Sequence, residues 1–230
     1  MAVAVITGAS RGFGRALAFD LARDGWDLII DARRAPQLEE TREMVASQGA
    51  NVSAIVGDVA DPEHRAALIA SAQGLGSLDL LVNNASTLGP SPLANLDRYP
   101  LDELRAVFEV NVVAPLALVQ LGLPLLHRSR GVVVSLSSDA AVEAYEGWGG
   151  YGSSKAALDH LHRVFGAEVD DVRFYSFDPG DMRTDMHQAA FPGEDISDRP
   201  EPETVIPALR SLLRAAPPSG RYRAHDWARS

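Results

Sequence analysis

Tyr151 and Lys155 stand four residues apart in YGSSK, and Lys155 is the single lysine among the 21 Lys and Arg of this 230-residue chain. Arginine carries every other strong positive charge, so an ammonium kept at one position points to chemistry that a planar, always-charged guanidinium supplies poorly. On a helix, positions i and i+4 share a face. A cation there would favour a phenolate and draw the tyrosine pKa down from about 10. A phenol tuned in this way can pass a proton to the alkoxide that forms when a carbonyl accepts a hydride. With five tyrosines present, chance alone would set the lone lysine at this helical spacing about 2% of the time.

A second constellation lies near the N-terminus. TGASRGFG places Gly8, Gly12 and Gly14 between a strand pattern and a helix pattern. Glycines there let the backbone turn sharply and approach a ligand, and a helix N-terminus offers partial positive charge to a pyrophosphate.

The elements that must hold these residues alternate. AVAVIT, DLIID, NVSAIVG, LDLLVN, GVVVSLS, VRFYSFD and GRYRAH read as strands, with longer helical stretches between them. This alternation predicts an α/β fold, a single-domain, Rossmann-like, doubly wound parallel sheet of about seven strands with helices on both faces. Asp61 is placed to cap a helix with Pro62 at its first position, and Gly25, Gly49 and Gly74 punctuate helix ends. Pro115 should bend or loosen the long fourth helix. Residues 187–203, rich in Pro, Gly and acid, are either a surface loop or a lid over a pocket at the strand C-termini.

The composition excludes other classes. A net charge of -10 argues against nucleic-acid or anionic-membrane partners. The chain lacks cysteine, which removes disulfides and thiolate sites, and its six histidines show no metal-ligand spacing. No metal is expected. There is no run of 18 to 20 consecutive apolar residues and no basic leader, so a soluble, cytoplasmic protein is expected.

TGASRGFG, GDV (57–59), NNA (83–85), Asn111, SLSS, YGSSK and DPGDMRT follow one another in an order that resembles the short-chain dehydrogenase/reductase family over residues 3–186. The resemblance implies a nicotinamide cofactor and a small-molecule carbonyl or alcohol substrate. It assigns catalysis to Tyr151 as acid/base, to Lys155, which lowers the tyrosine pKa and holds the nicotinamide ribose, and to Ser138 on the substrate oxygen. Asn111 would anchor a relay water, and Ser137 is the fallback for Ser138. It gives cofactor contacts to Gly8, Ser10, Arg11, Gly12, Phe13 and Gly14, to Asp58 and Val59 by the adenine, and to Asn83 and Ala85 by the ribose. Pro179, Gly180, Met182 and Thr184 would border the nicotinamide.

By the same resemblance the acid that selects NAD falls on Ala32, with Arg33, Arg34 and Arg11 around a 2'-phosphate site. This favours NADP(H) over NAD(H). Asp31 is the complication, since a shift of one residue would aim it at the ribose. NNAS places Ser86 where the family has glycine, at the substrate mouth. Tyr145 and Trp148 offer flat walls for a planar carbonyl compound. GW before Tyr151, with DPGDMRTDMHQ downstream, also resembles sepiapterin reductases within the family. A generic ketone or 3-oxoacyl reductase and a catalytically silent NADP-binding regulatory protein are the alternatives. Assembly as a homodimer or homotetramer is implied through the fourth and fifth helices.

Overall fold

The computed structural model describes residues 1–227. Seven strands, β1 (Val3–Ile6), β2 (Asp27–Ala32), β3 (Val52–Val56), β4 (Leu80–Asn83), β5 (Val132–Leu136), β6 (Arg173–Asp178) and β7 (Gly220–Arg223), form one parallel sheet in the order β3-β2-β1-β4-β5-β6-β7. Order reverses between β1 and β4, which opens a crevice at their C-terminal ends, the usual ligand position in such sheets.

Helices cover both faces. α1 (Gly12–Arg23), α2 (Ala35–Ala46) and α8 (Ile206–Ala215) close a core that includes Leu17, Leu38, Leu209 and Phe177, and α3 (Pro62–Leu75) and α5 (Ala114–Ser129) close a second around Leu68, Leu118 and Phe174. Strands buried on both faces read as continuous apolar runs for this reason. α6 (Gly149–Glu168) packs on β6 and β7, and α7 (Asp185–Ala190) and α9 (Ala224–Trp227) are short. Asp61 caps α3 by accepting from the Glu63 N–H at 2.9 Å.

Three local expectations are corrected. Gly74 lies within α3, and Gly76, at φ 85°, ends the helix because a left-handed residue is needed there. Ala224 and His225 open α9 and do not extend β7. Segment 187–203 is not wholly irregular, since it begins in α7.

The fourth helix is also not uniform. α4 (Leu101–Phe108) passes into a π-helical turn, Glu109–Val113, before α5. Pro115 has no N–H to give the Asn111 carbonyl, which a regular ladder would require, so the helix widens just before it. The continuous helix Leu101–Ser129 is long and apolar enough by composition to cross a membrane, yet its inner face packs into the core through Leu118, Val119, Leu125 and Leu126.

Candidate active site

The glycine loop follows β1 because Gly8 and Gly12 adopt φ 66° and 56°, which side chains resist. A Cβ on Gly14 would stand 2.5 Å from Asn84 Nδ2 and 2.9 Å from the Gly8 carbonyl. Asn84 donates from Nδ2 to the carbonyls of Thr7 (2.8 Å) and Gly8 (3.0 Å), and Thr7 Oγ1 accepts from the N–H groups of Asn84 and Ala85, both at 3.0 Å. β1 and β4 are thereby stitched at the crevice. Arg11, at the N-cap of α1, makes no capping bond, and the first turn holds no acid. Unclaimed N–H groups at a helix start fit a pyrophosphate, so the cradle suits a dinucleotide.

Several expected contacts resolve differently. Phe13 is buried against Phe177, with ring centroids 6.1 Å apart, and only its backbone belongs to the first turn of α1; Ser10 stays half-exposed in the loop. Arg11 pairs with Asp185 of α7, both side chains largely exposed. Arg33 lies 3.8 Å from Asp58, whose Oδ1 accepts from the Ala60 N–H, while Val59 is buried and its carbonyl accepts from Arg65 at 2.6 Å. The Asn83 side chain is turned into the sheet, so any contact to a ribose falls to its backbone. That side chain is buried and donates to Ser135 Oγ at 3.0 Å, because strand alternation turns it away from the loop that Asn84 touches.

Asp31 is 1% exposed and points beneath the glycine loop, where Oδ1 accepts from the Gly8 N–H at 2.6 Å and Oδ2 lies 2.8 Å from His64 Nε2. Burial raises its pKa. Ala32, next along the strand, faces the other way, as the pleat demands.

Two of the catalytic candidates line a cavity of about 420 Å³, with Asn111 and Lys155 buried behind its wall. Tyr151 and Ser138 line it together with Tyr145, Trp148, Pro179, Gly180, Met182, Thr184 and, from α7, Met186 and His187. Thr184 Cγ2 lies 3.4 Å from where a Gly12 Cβ would stand, so cavity and cradle are contiguous. The Trp148 ring meets Tyr151 edge-on at 5.8 Å.

Tyr151 and Lys155 share the inner face of α6, with the Lys155 Nζ 5.4 Å from the tyrosine ring centroid and donating to the Leu136 carbonyl at 2.7 Å. Burial depresses the Lys155 pKa to about 8, opposed by Asp159 one turn on. The tyrosine departs from expectation. Its pKa is raised, by burial first and then by Asp178 and Asp139, with the Ser138 and Ser86 hydroxyls opposing. Desolvation of a phenolate and the two nearby carboxylates outweigh the hydroxyl hydrogen bonds in the protein alone.

Asn111 sits on the π turn with 0% exposure and a saturated side chain. Nδ2 donates to the Thr87 carbonyl (2.9 Å) and Ser154 Oγ (3.0 Å), and Oδ1 accepts from Ser86 Oγ (3.0 Å) and the Thr87 N–H (2.9 Å). A water would have to bind its backbone carbonyl. Ser86 bridges Asn111 and Tyr151, donating to Asn111 while its hydroxyl also stands against Tyr151. Of the serines after β5, Ser137 and Ser138 both line the cavity; Ser137 donates to buried Asp159 at 2.9 Å, and Ser138 donates to the more exposed Asp139 at 2.9 Å.

Sequence reasoning missed Thr7, Asn84, the Asp31–His64 pair and Arg221, which donates to Asp159, Asp178 and the Ser138 carbonyl. The acid before Pro179 in DPGDMRT is the one available signal. Asp181, beyond Gly180, faces Arg199 at 3.6 Å and His187 at 3.8 Å.

A Rossmann-type sheet, a pyrophosphate-ready helix start and a tyrosine–lysine pair beside a cavity define the nicotinamide-dependent oxidoreductase class. The short chain dehydrogenase family model matches residues 2–195, and the chain belongs to the short-chain dehydrogenase/reductase family. It is 35% identical to sepiapterin reductase of Mus musculus over 224 residues, 91% of this chain and 84% of that protein. An alcohol dehydrogenase of the archaeon Thermococcus sibiricus, solved with 5-hydroxy-NADP, is 31% identical with TM-score 0.86, covering 97% of this chain and 95% of that one. A 7α-hydroxysteroid dehydrogenase solved with NADH is 25% identical with TM-score 0.86, covering 96% and 92%.

Proposed function

We propose that the protein is an NADP(H)-dependent oxidoreductase that moves hydride between nicotinamide and a carbonyl or alcohol carbon, with Tyr151 as acid/base. The observation that carries this reading is the Tyr151–Ser138 edge of a cavity that runs into the α1 cradle. Bound nicotinamide supplies or accepts the hydride. Ser138 Oγ, which donates to Asp139 Oδ1 at 2.9 Å in the protein alone, would turn that hydroxyl to the substrate oxygen, and Tyr151, kept protonated by its raised pKa, is in the form that gives a proton to an alkoxide. Lys155 serves as the buried cation beneath the phenol and the donor toward a ribose. Gly12, Phe13 and Gly14 would hold the pyrophosphate through backbone N–H groups, while Pro179, Gly180, Met182 and Thr184 border the nicotinamide. This assembly disfavours the catalytically silent alternative.

NADP(H) preference is supported by the burial of Asp31, which removes the acid that would repel a 2'-phosphate, and by Arg33 and Arg34 at the end of β2. Titration should show NADPH binding more tightly than NADH, with Arg33→Ala narrowing the gap; equal affinities would refute the preference. Aromatic Tyr145, Trp148 and Phe191 around the cavity support a planar carbonyl substrate, and the likeness to the mouse reductase supports a sepiapterin-type compound as its first test. The decisive assay is a carbonyl panel followed by NADPH oxidation, with Tyr151→Phe as the blank.

A further inference from the structure

Arg221 lies on β7, the edge strand, yet its guanidinium touches three segments of the catalytic wall. Nε donates to Asp159 Oδ2 at 3.0 Å, and Nη2 donates to Asp178 Oδ2 at 2.8 Å and to the Ser138 carbonyl at 2.9 Å. The side chains of Asp159 and Asp178 are each 6% exposed, and that of Arg221 is 21% exposed. Carboxylates so placed need a partner, and a planar fork can satisfy both acids and a carbonyl at once.

Each acceptor continues into the site. Ser138 carries the cavity hydroxyl. Asp178 uses its other oxygen to accept from the Gly180 N–H at 3.0 Å, which fixes the Pro179–Gly180 turn. Asp159 follows Lys155 by one turn of α6 and accepts from Ser137 Oγ at 2.9 Å.

We propose that Arg221 is a positioning residue for the catalytic set: it holds Ser138, the Pro179–Gly180 turn and the lysine-bearing turn of α6 in mutual register, and its charge shields Tyr151 from Asp178. The proposal rests on the hydride-transfer reading above. Tyr151 is faced by Lys155 on its own helix, by Asp139 on the turn after β5 and by Asp178 on β6. Asp181 and His187 lie farther along the cavity wall, and Asp159 with Arg221 lies behind it. Without Arg221, the Asp178 charge would oppose the phenolate unshielded, so Tyr151 would deprotonate at higher pH.

The test compares Arg221→Met, Arg221→Lys and the double variant Arg221→Met/Asp178→Asn with the parent protein. Readouts are kcat, KM and the pH profile of alcohol oxidation, together with the binding of NADPH and of adenosine bisphosphate, which lacks the nicotinamide half. Arg221→Met is expected to lower kcat about 100-fold, the cost of small misplacement at a reacting centre. It should weaken NADPH about tenfold with adenosine bisphosphate unaffected, and move the pH midpoint up by about one unit. Adding Asp178→Asn should return the midpoint toward the parent value, and Arg221→Lys should hold the midpoint while recovering only part of kcat. Parent-like kcat, midpoint and affinities in Arg221→Met would overturn the proposal, as would equal loss of both ligands without recovery in the double variant. If the parent turns over no carbonyl compound, the hydride-transfer reading falls, and the ligand pair still decides on Arg221.

Discussion

Lys155 is held where an ammonium is costly: it is 2% exposed, and burial pulls its pKa to about 8 from 10.5. That penalty identifies a group retained for function at the expense of stability. Lys155→Met should therefore raise the unfolding free energy by an amount on the order of 1–3 kcal/mol, and the thermal midpoint with it, while abolishing turnover. A lower midpoint in a denaturation scan would contradict this. Lys155→Arg keeps the charge but not the compact shape, and we expect it to be nearly as inactive. Tyr151→Phe should bind NADPH like the parent and lose turnover; full activity in that variant would exclude the tyrosine as acid/base.

At the scale of the element, α6 is unusual because its inner stripe is polar. Tyr151, Ser154, Lys155, Asp159 and His162 are all buried and follow helical spacing. His162, beside Ser135 Oγ at 2.8 Å, has its pKa lowered to about 4 by burial. Between pH 4 and 6.5 the unfolded chain binds a proton that the folded chain refuses, so stability is full above 6.5 and falls as the solution is acidified toward 4. Urea unfolding should record a loss on the order of 3 kcal/mol across that window, and His162→Gln should flatten the slope. The first turn of α1 makes a steric prediction instead. Gly14→Ala has no room beside Asn84 and the Gly8 carbonyl, so dinucleotide affinity should fall at least tenfold in a binding titration.

For the whole molecule, charge and exposed surface set the expectations. The cavity wall carries Asp139, Asp178 and Asp181, with no lysine or arginine lining it among the described residues. Substrates bearing a carboxylate should show lower kcat/KM than neutral analogues, by about tenfold, in matched assays. α5 and α6 leave Leu121 and Val164 partly exposed, which supports pairing of copies through these helices. Light scattering would check this assembly.

The sequence by itself determined the strand–helix alternation, the glycine cradle and the Tyr151–Lys155 spacing, because each depends on neighbours within a few residues. Even the π turn has a local cause in Pro115. Pairings across the sheet were not legible. Asp178 has no basic partner near it in the sequence, and only the fold sets Arg221, 43 positions away, against it. Asp31 looked like a rival selector of NAD until the pleat turned it under Gly8 and toward His64. The tyrosine pKa was misread for the same reason, since four-residue spacing reports the nearby lysine but not the burial and distant carboxylates that raise it. Spacing along the chain establishes which groups are neighbours on one element; only tertiary packing establishes which charges are desolvated and which partners reach them.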